Sequence, residues 1–84
     1  MTHYLKIDPV YLNKLIDGSK TFELRKNDKG YKEGDRLHLM EFKAGEYTGR
    51  RIVADITYML EEYSGIEEGY CILGIKVKGE ANEG

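Results

Sequence analysis

Alternating apolar and polar positions predict an opening strand, and the residues after it predict a helix. Residues 3–7 alternate in the manner of a short strand. Asp8 then stands where a helix N-cap belongs, and Pro9 occupies the first helical position. Gly18 supplies a left-handed C-cap, so a helix is predicted over about 9–17. One face of this helix carries the apolar side chains Tyr11, Leu12, Leu15 and Ile16.

Four further strands follow the helix in the pattern of alternation. A hairpin-like turn at 44–49 and an acidic loop at 61–69, which has room for a helical turn, separate some of them. Short connections of this kind favour mostly antiparallel pairing. Because one helix cannot cover a sheet of about five strands, we expect an α+β fold in which the sheet closes into a small barrel with the helix at one side. The predicted strands are residues 20–26, 36–43, 50–60 and 70–78.

The last two predicted strands have clear apolar faces that should form much of the core. Both faces follow the period of two that is typical of a half-buried strand. The members of the first face are Ile52, Ala54, Ile56, Tyr58 and Leu60, and those of the second are Cys71, Leu73, Ile75 and Val77.

Length and composition predict one small domain. The chain has 84 residues, of which 40% are hydrophobic, and this excludes the intrinsically disordered class. We expect a domain over residues 1–79 and a polar tail over 80–84. No apolar run approaches the roughly 20 residues of a membrane helix, so no membrane association is expected. The single cysteine, Cys71, permits no internal disulfide and predicts a reducing cytoplasm.

The net charge of −2 hides an asymmetry along the chain. Residues 1–53 sum to +3, and residues 54–84 sum to −5. Basic density is highest over 20–32, and a basic patch beside tyrosines can bind phosphates and stack bases. A solvated loop on an ordinary domain would have the same composition, so charge alone does not decide between the two interpretations.

The segment over 18–25, between the predicted helix and the next strand, contains ionisable side chains of both signs close together. Glu23 and Arg25 share a face of a regular strand, and Lys20 at the preceding turn can swing to the same side. A carboxylate flanked by two cations keeps its charge and holds both in place, and such a group can read a base edge or a phosphate. An exposed network of ion pairs is the alternative interpretation.

This segment resembles the Gly-x-Lys-x-x-Glu-x-Arg signature of ASCH domains, which belong to the PUA-like superfamily. Gly18, Lys20, Glu23 and Arg25 occupy its four fixed positions. Nearly the whole chain is similar to a small ASCH-like family of unknown function from bacteria and phages. Further points of similarity are the start at 3–7, the residues 25–28 and 34–35, the segment 47–50, and the opening of the last strand at 69–70.

The resemblance implies a PUA-like β-barrel that binds RNA or a modified nucleotide in a cleft around the signature. Lys20, Glu23 and Arg25 would line this cleft. The distribution of charge, rather than the family, adds Lys26, Asn27 and Arg50 as rim residues. The predicted partner is therefore RNA or a nucleotide.

An enzymatic branch of ASCH-type proteins provides the alternative function. That branch hydrolyses acetylated cytidine nucleosides with a Lys, a Thr and a Glu, and its Lys aligns with Lys20. Its nucleophilic Thr aligns with Glu23, and a carboxylate attacks an amide less well than an alkoxide does. If the chain is an enzyme, Lys20 and Glu23 are the candidate catalytic residues, and phosphodiester cleavage also stays open because some ASCH proteins are ribonucleases. The assisting carboxylate would come from Glu61, Glu62, Glu67 or Glu68, among which the sequence does not choose.

Neither a metal site nor a cofactor site is expected. His3 and His38 lack a second ligand at metal-binding spacing and are better interpreted as hydrogen-bonded or exposed side chains. The glycines fit turns rather than a phosphate-binding fingerprint. A regulatory protein-interaction module, with a protein partner, is the third functional alternative.

Overall fold

A computed structural model describes residues 1–82 as five strands and one helix. All predicted elements are present, with ends that differ by a few residues. No helix within this described part is long and apolar enough to cross a membrane. The elements in chain order are β1 (Thr2–Ile7), α1 (Pro9–Ile16), β2 (Phe22–Lys26), β3 (Arg36–Lys43), β4 (Glu46–Glu61) and β5 (Tyr70–Asn82).

The five strands form one mixed sheet in the order β1-β3-β4-β5-β2, which curls into a half-barrel. Strand β1 pairs with β3 in parallel, and the other described pairs are antiparallel. The predicted α+β, barrel-like fold is therefore confirmed, as is mostly antiparallel pairing. The parallel pair arises because α1 and β2 together form a crossover between β1 and β3.

Helix α1 begins as the sequence predicts. The Asp8 carboxylate accepts a hydrogen bond from the Val10 N–H at 3.4 Å, and Pro9 follows in the first turn. Gly18 has a positive φ of 85° and turns the chain toward β2. A short helix buries a narrow stripe, so Leu12 and Leu15 are buried. The predicted apolar face was too wide, because Tyr11 and Ile16 are exposed.

The core lies between α1 and the concave face of the sheet. Alternate residues of the strands point into it, which confirms most of the predicted apolar faces. The buried apolar side chains of the sheet are Leu5, Ile7, Leu37, Leu39, Ile52, Ala54, Ile56, Cys71, Leu73 and Ile75, and Tyr31 joins them from a loop.

Strand β4 departs from the predicted pattern in two places. It begins at Glu46, because only Ala44 and Gly45 form the turn, both with positive φ as a tight hairpin requires. Near its other end the register shifts between Ile56 and Tyr58. This bulge moves Tyr58 from the predicted core face to the outside and packs Met59 against the core instead.

The C-terminal strand runs further than the sequence predicts. Residues 80–82, expected in a polar tail, pair with 50–52 of β4. The remaining part of that predicted tail, residues 83–84, lies outside the described residues. The acidic loop over 62–69 contains two short turns, closed by bonds from the Ile66 N–H to the Tyr63 carbonyl and from the Tyr70 N–H to the Glu67 carbonyl.

Candidate functional site

The signature residues lie where the chain leaves α1 and enters the edge strand β2. The Asp17 carboxylate accepts hydrogen bonds from the N–H and hydroxyl of Ser19 at 2.8 and 2.6 Å. These bonds lower the pKa of Asp17, the hydroxyl contributing most. The Lys20 N–H then donates to the Lys14 carbonyl at 3.0 Å. This compact turn positions Lys20 beside the first residues of β2.

Glu23 is the buried centre of a three-residue ion cluster. Its side chain is only 6% exposed. The Lys20 ammonium donates to Oε1, and Arg25 Nε donates to Oε2 at 3.1 Å. Alternation along β2 places Glu23 and Arg25 on one face, so the predicted cluster is present and both carboxylate oxygens have cationic partners.

Arg25 also closes the gap between the two edges of the sheet. Its Nη2 donates to the Lys6 carbonyl of β1 at 2.6 Å, while its Nε holds Glu23. Strands β1 and β2 are the two outer strands of the sheet, so this contact bridges the open side of the half-barrel. Arg25 therefore links β2 to β1 and also belongs to the ion cluster around Glu23.

An open cleft of about 480 Å³ lies over this cluster, and we call it the signature cleft. Tyr11 from α1 and Phe22 from β2 form aromatic walls and are 53% and 46% exposed. The Lys20 Nζ lies 5.2 Å from each of the two ring centroids, within the range of a cation–π contact. The cleft is lined by Lys6, Ile7, Asp8, Tyr11, Lys20, Phe22, Glu23, Leu24 and Arg25.

Comparison with known proteins places the chain in a family. Residues 2–75 match the family described as "Domain of unknown function (DUF3850)". The chain belongs to the DUF3850 family. A curated relative, the "Uncharacterized 12.9 kDa protein in GpA 3'region" of Escherichia phage P2, is 35% identical over 66 residues. That match covers 79% of this chain and 61% of the phage protein, so the chain spans less than two thirds of its relative's length.

Two of the predicted rim residues of this DUF3850 domain lie at the far end of β2. Lys26 is exposed there. Asn27 accepts a bond from the Tyr31 N–H through Oδ1 and donates through Nδ2 to Glu61 at 3.0 Å. Asn27 faces a second cleft of about 470 Å³, not the signature cleft.

The four candidate loop glutamates line that second cleft, which we call the acidic cleft. Its other lining residues include Tyr63 and Tyr70. Lys20 lines the signature cleft instead. The structure therefore does not bring the predicted lysine together with Glu61, Glu62, Glu67 or Glu68.

Arg50 does not line the signature cleft either. Its Nε donates to Glu80 at 2.6 Å and its Nη1 donates to Asn13 of α1 at 2.9 Å. The bond to Glu80, with help from the charges of Glu80 and Glu41, raises the pKa of Arg50. Arg50 lines a small pocket of about 130 Å³ together with Tyr47.

Another buried carboxylate, which the sequence did not single out, lies beside the start of β1, whereas the signature cleft lies at the end of that strand. Asp35 accepts a bond from His3 Nε2 at 2.8 Å, from the Lys32 N–H at 3.1 Å and from the Met1 amine at 3.1 Å. These contacts hold the pKa of Asp35 at about 2, and the bond from His3 is the largest cause. We call these four residues the Asp35 cluster. The alternation of 3–7 could have placed His3 on the buried face, but no sequence signal links it to Asp35.

Among residues 1–82, no three His, Cys, Asp or Glu side chains converge closely enough to hold an ion. His3 is hydrogen-bonded, as the sequence predicts. Burial, together with the charges of Arg51 and Arg36, lowers the pKa of His38, so this imidazole is neutral at pH 7.

Proposed function

We propose that this DUF3850 domain binds a nucleotide, free or within single-stranded RNA, in the signature cleft. One observation carries the proposal. A buried carboxylate holds two cations at the floor of an open cleft whose walls are exposed aromatic rings. The resemblance to ASCH and PUA-like domains supports the same ligand class, in the reducing cytoplasm where Cys71 remains a thiol.

Each part of the cleft suits one part of a nucleotide. The Lys20 ammonium and the Arg25 guanidinium offer positive charge to a phosphate. Tyr11 and Phe22 offer ring faces on which a base stacks without demanding one sequence. Glu23 fixes the two cations in position, so little side-chain freedom remains to be lost when a ligand binds.

Binding is better supported than amide hydrolysis. A hydrolase of the acetylcytidine type needs a lysine and a loop carboxylate around one substrate, and here these lie in different clefts. Glu23 accepts from a cation at each oxygen, which leaves it poorly placed as a nucleophile. Sustained release of acetate from 4-acetylcytidine would favour the hydrolase over simple binding.

The experiment compares binding by the natural chain and by two lysine variants. Fluorescence anisotropy with labelled single-stranded RNA hexamers at low salt measures the affinity. Lys20→Ala should weaken binding roughly tenfold or more, because a contact to a charged group is worth about 1.5–3 kcal/mol. Lys43→Ala removes an exposed lysine of the β3–β4 hairpin and serves as the matched control.

Circular dichroism should show that both variants keep the fold. Lys20 is a cleaner target than Arg25, because Arg25 also bridges β2 to β1. Equal affinity of Lys20→Ala and the natural chain would contradict the proposal. Equal losses of RNA affinity in Lys20→Ala and Lys43→Ala would also contradict it, because they would indicate nonspecific electrostatic attraction without a defined site.

A further inference from the structure

The outer face of the sheet has a slot between two exposed aromatic side chains, beside the signature cleft. Phe22 of β2 and Tyr58 of β4 are both aligned with Gly74 of β5, one from each side. The residues that flank this row, among them Glu23 and Leu73, are buried on the opposite face. We call Phe22, Gly74 and Tyr58 the stacking slot.

The bulge in β4 creates this slot. Without a register shift, Tyr58 would continue the buried series of Ile52, Ala54 and Ile56. The shift after Ile56 instead leaves Tyr58 60% exposed. A bulge that exposes an aromatic ring to solvent loses the favourable burial of that ring. Bulges that redirect side chains are common near functional sites.

The dimensions of the slot fit one planar ring. Neighbouring strands lie about 4.8 Å apart, which separates the backbones of Phe22 and Tyr58 by about 10 Å. Gly74 has no side chain, and the Thr57 hydroxyl lies beside it, 3.4 Å from the position that a Cβ of residue 74 would occupy. A backbone separation of about 10 Å leaves room for one flat base above Gly74, between the side chains of Phe22 and Tyr58.

Positive charge lies on two sides of the slot. Lys20 contacts the Phe22 ring from the signature cleft, and Lys76 follows Gly74 by two residues on the same exposed face of β5. Asp55 is aligned with Lys76 but already binds Arg36 at 3.0 Å and lies 3.8 Å from Lys78. The charges therefore favour a polyanion over an uncharged apolar segment.

We propose that the stacking slot is a second base subsite, so that the ligand is a single-stranded oligonucleotide rather than a lone nucleotide. One base occupies the signature cleft and a neighbouring base stacks between Phe22 and Tyr58, with Phe22 shared by both positions. Lys76 meets the backbone phosphate beyond the slot. The acidic loop over 62–69 lies toward the other end of β5 and repels phosphate there. This inference rests on the proposed function.

The experiment measures the binding of two kinds of ligand, mononucleotides and hexanucleotides, to matched tyrosine variants. The ligands are the four ribonucleoside 5′-monophosphates and the oligomers hexa-adenylate and hexa-uridylate, titrated into nitrogen-15-labelled protein. Tyr58→Ala should weaken hexamer binding about 5- to 150-fold, the effect of losing one stacked base, and leave monophosphate binding unchanged. Tyr63→Ala, which removes a ring that is 63% exposed in the acidic loop, should change neither.

Gly74→Val fills the slot and should reproduce the effect of Tyr58→Ala. A Cβ at this position meets Thr57 Oγ1 at 3.4 Å and Tyr58 Cβ at 3.5 Å, which are ordinary contacts, and circular dichroism should show that the variant keeps the fold. β-Branched residues also suit strands. Loss of hexamer affinity in both variants, with monophosphate affinity intact, would support the second subsite.

Four results would overturn the inference. If hexamers bind no tighter than monophosphates, the stacking slot is not a base subsite, while the proposal for the signature cleft still stands. Equal losses of hexamer affinity in Tyr58→Ala and Tyr63→Ala would lead to the same conclusion. Absence of binding by both ligands would contradict the proposed function as well. Self-association that Tyr58→Ala abolishes, without any gain from hexamers, would assign the surface to protein contact.

Discussion

Glu23 and Asp35 are buried carboxylates with cationic neighbours, and they lie in different surroundings. The side chains of Glu23 and Asp35 are 6% and 10% exposed, and each accepts hydrogen bonds at both oxygens. The partners of Glu23 are the long side chains of Lys20 and Arg25 at an open cleft. The main partner of Asp35 is His3, which is buried and packs edge-on against buried Tyr31, 4.8 Å between ring centroids.

The contrast distinguishes a cluster that is closed by the protein itself from one that faces an open cleft. In the Asp35 cluster the buried His3 ring, the Lys32 N–H and the exposed Met1 amine all bind Asp35, so the cluster joins β1 to the loop before β3. In the signature cleft the same kind of carboxylate holds cations whose charge reaches an open space with aromatic walls. A buried ion cluster alone is therefore a weak sign of a binding site, and the cleft and the rings give Glu23 its functional interest.

The largest expected effect is on stability, and it comes from the Asp35 cluster. Asp35→Ala leaves His3 and the Lys32 N–H without their acceptor, which should lower the free energy of unfolding by about 3 kcal/mol. Urea denaturation followed by circular dichroism measures this. If the variant remains folded, it should bind RNA hexamers with the affinity of the natural chain. A loss of binding without a loss of stability would contradict the structural role given to Asp35.

The next effect is on binding, and it comes from the signature cleft. Lys20→Met keeps an apolar stem between Tyr11 and Phe22 but removes the ammonium that Glu23 holds. We expect a loss of about 1–3 kcal/mol in stability, because the buried Oε1 of Glu23 loses its donor while Arg25 remains on Oε2. Hexamer affinity should fall about tenfold, measured by anisotropy. A large destabilisation with unchanged affinity would make this cluster structural, like its counterpart.

Acid should weaken the Asp35 cluster in a narrow pH window. The pKa of Asp35 is about 2 in the folded protein, below the ordinary value of 3.8. A group with a lowered folded pKa stabilises the fold above its unfolded pKa and loses that contribution as the pH falls through its folded pKa. Between pH 4 and pH 2 we expect a loss of about 1–2 kcal/mol, after allowance for screening by solvent.

Asp35→Asn isolates this contribution from other carboxylates. Hydrogen bonds from Ser19 and Arg36 also lower the pKa values of Asp17 and Asp55, respectively, and both groups retain their response in the variant. Urea midpoints measured from pH 5 to pH 2 should therefore fall less steeply for Asp35→Asn than for the natural chain. Parallel curves for the two proteins would contradict the role given to Asp35.

The smallest effect is expected at Arg50. Its contacts with Glu80 and Asn13 lie at the surface, where ion pairs contribute little, and Glu41, which lies 3.7 Å from Arg50 Nη1, keeps its hydrogen bond from Thr48. Arg50→Ala should leave the urea midpoint nearly unchanged and hexamer affinity unchanged. A tenfold loss of affinity in anisotropy would instead extend the RNA path to that side of the fold and restore Arg50 as a rim residue.

The sequence predicted the elements well and the tertiary details less well. The N-cap at Asp8 and the strand periodicity are local signals, so the helix and the five strands were predictable. The bulge at Tyr58 and the narrow buried stripe of α1 depend on packing between distant segments. Their consequence, the exposure of Tyr11 and Tyr58, was not predictable from periodicity.

The same division applies to the candidate site. Lys20, Glu23 and Arg25 are close in sequence and alternate on one strand, so their cluster was predictable. The contact of Arg25 with the Lys6 carbonyl and the pairing of His3 with Asp35 join residues far apart in the chain. The placement of Asn27 and Arg50 outside the signature cleft likewise depends on tertiary structure.

A chemical-shift map that covers the signature cleft and the Asp35 cluster tests directly whether nucleotides bind in the signature cleft. Nitrogen-15-labelled protein is titrated with the four ribonucleoside 5′-monophosphates and with hexa-uridylate at low salt. We expect saturable shifts at Tyr11, Lys20, Phe22 and Arg25, and none at His3 or Asp35. Shifts that avoid the signature cleft, or no saturable shift at millimolar ligand, would contradict it.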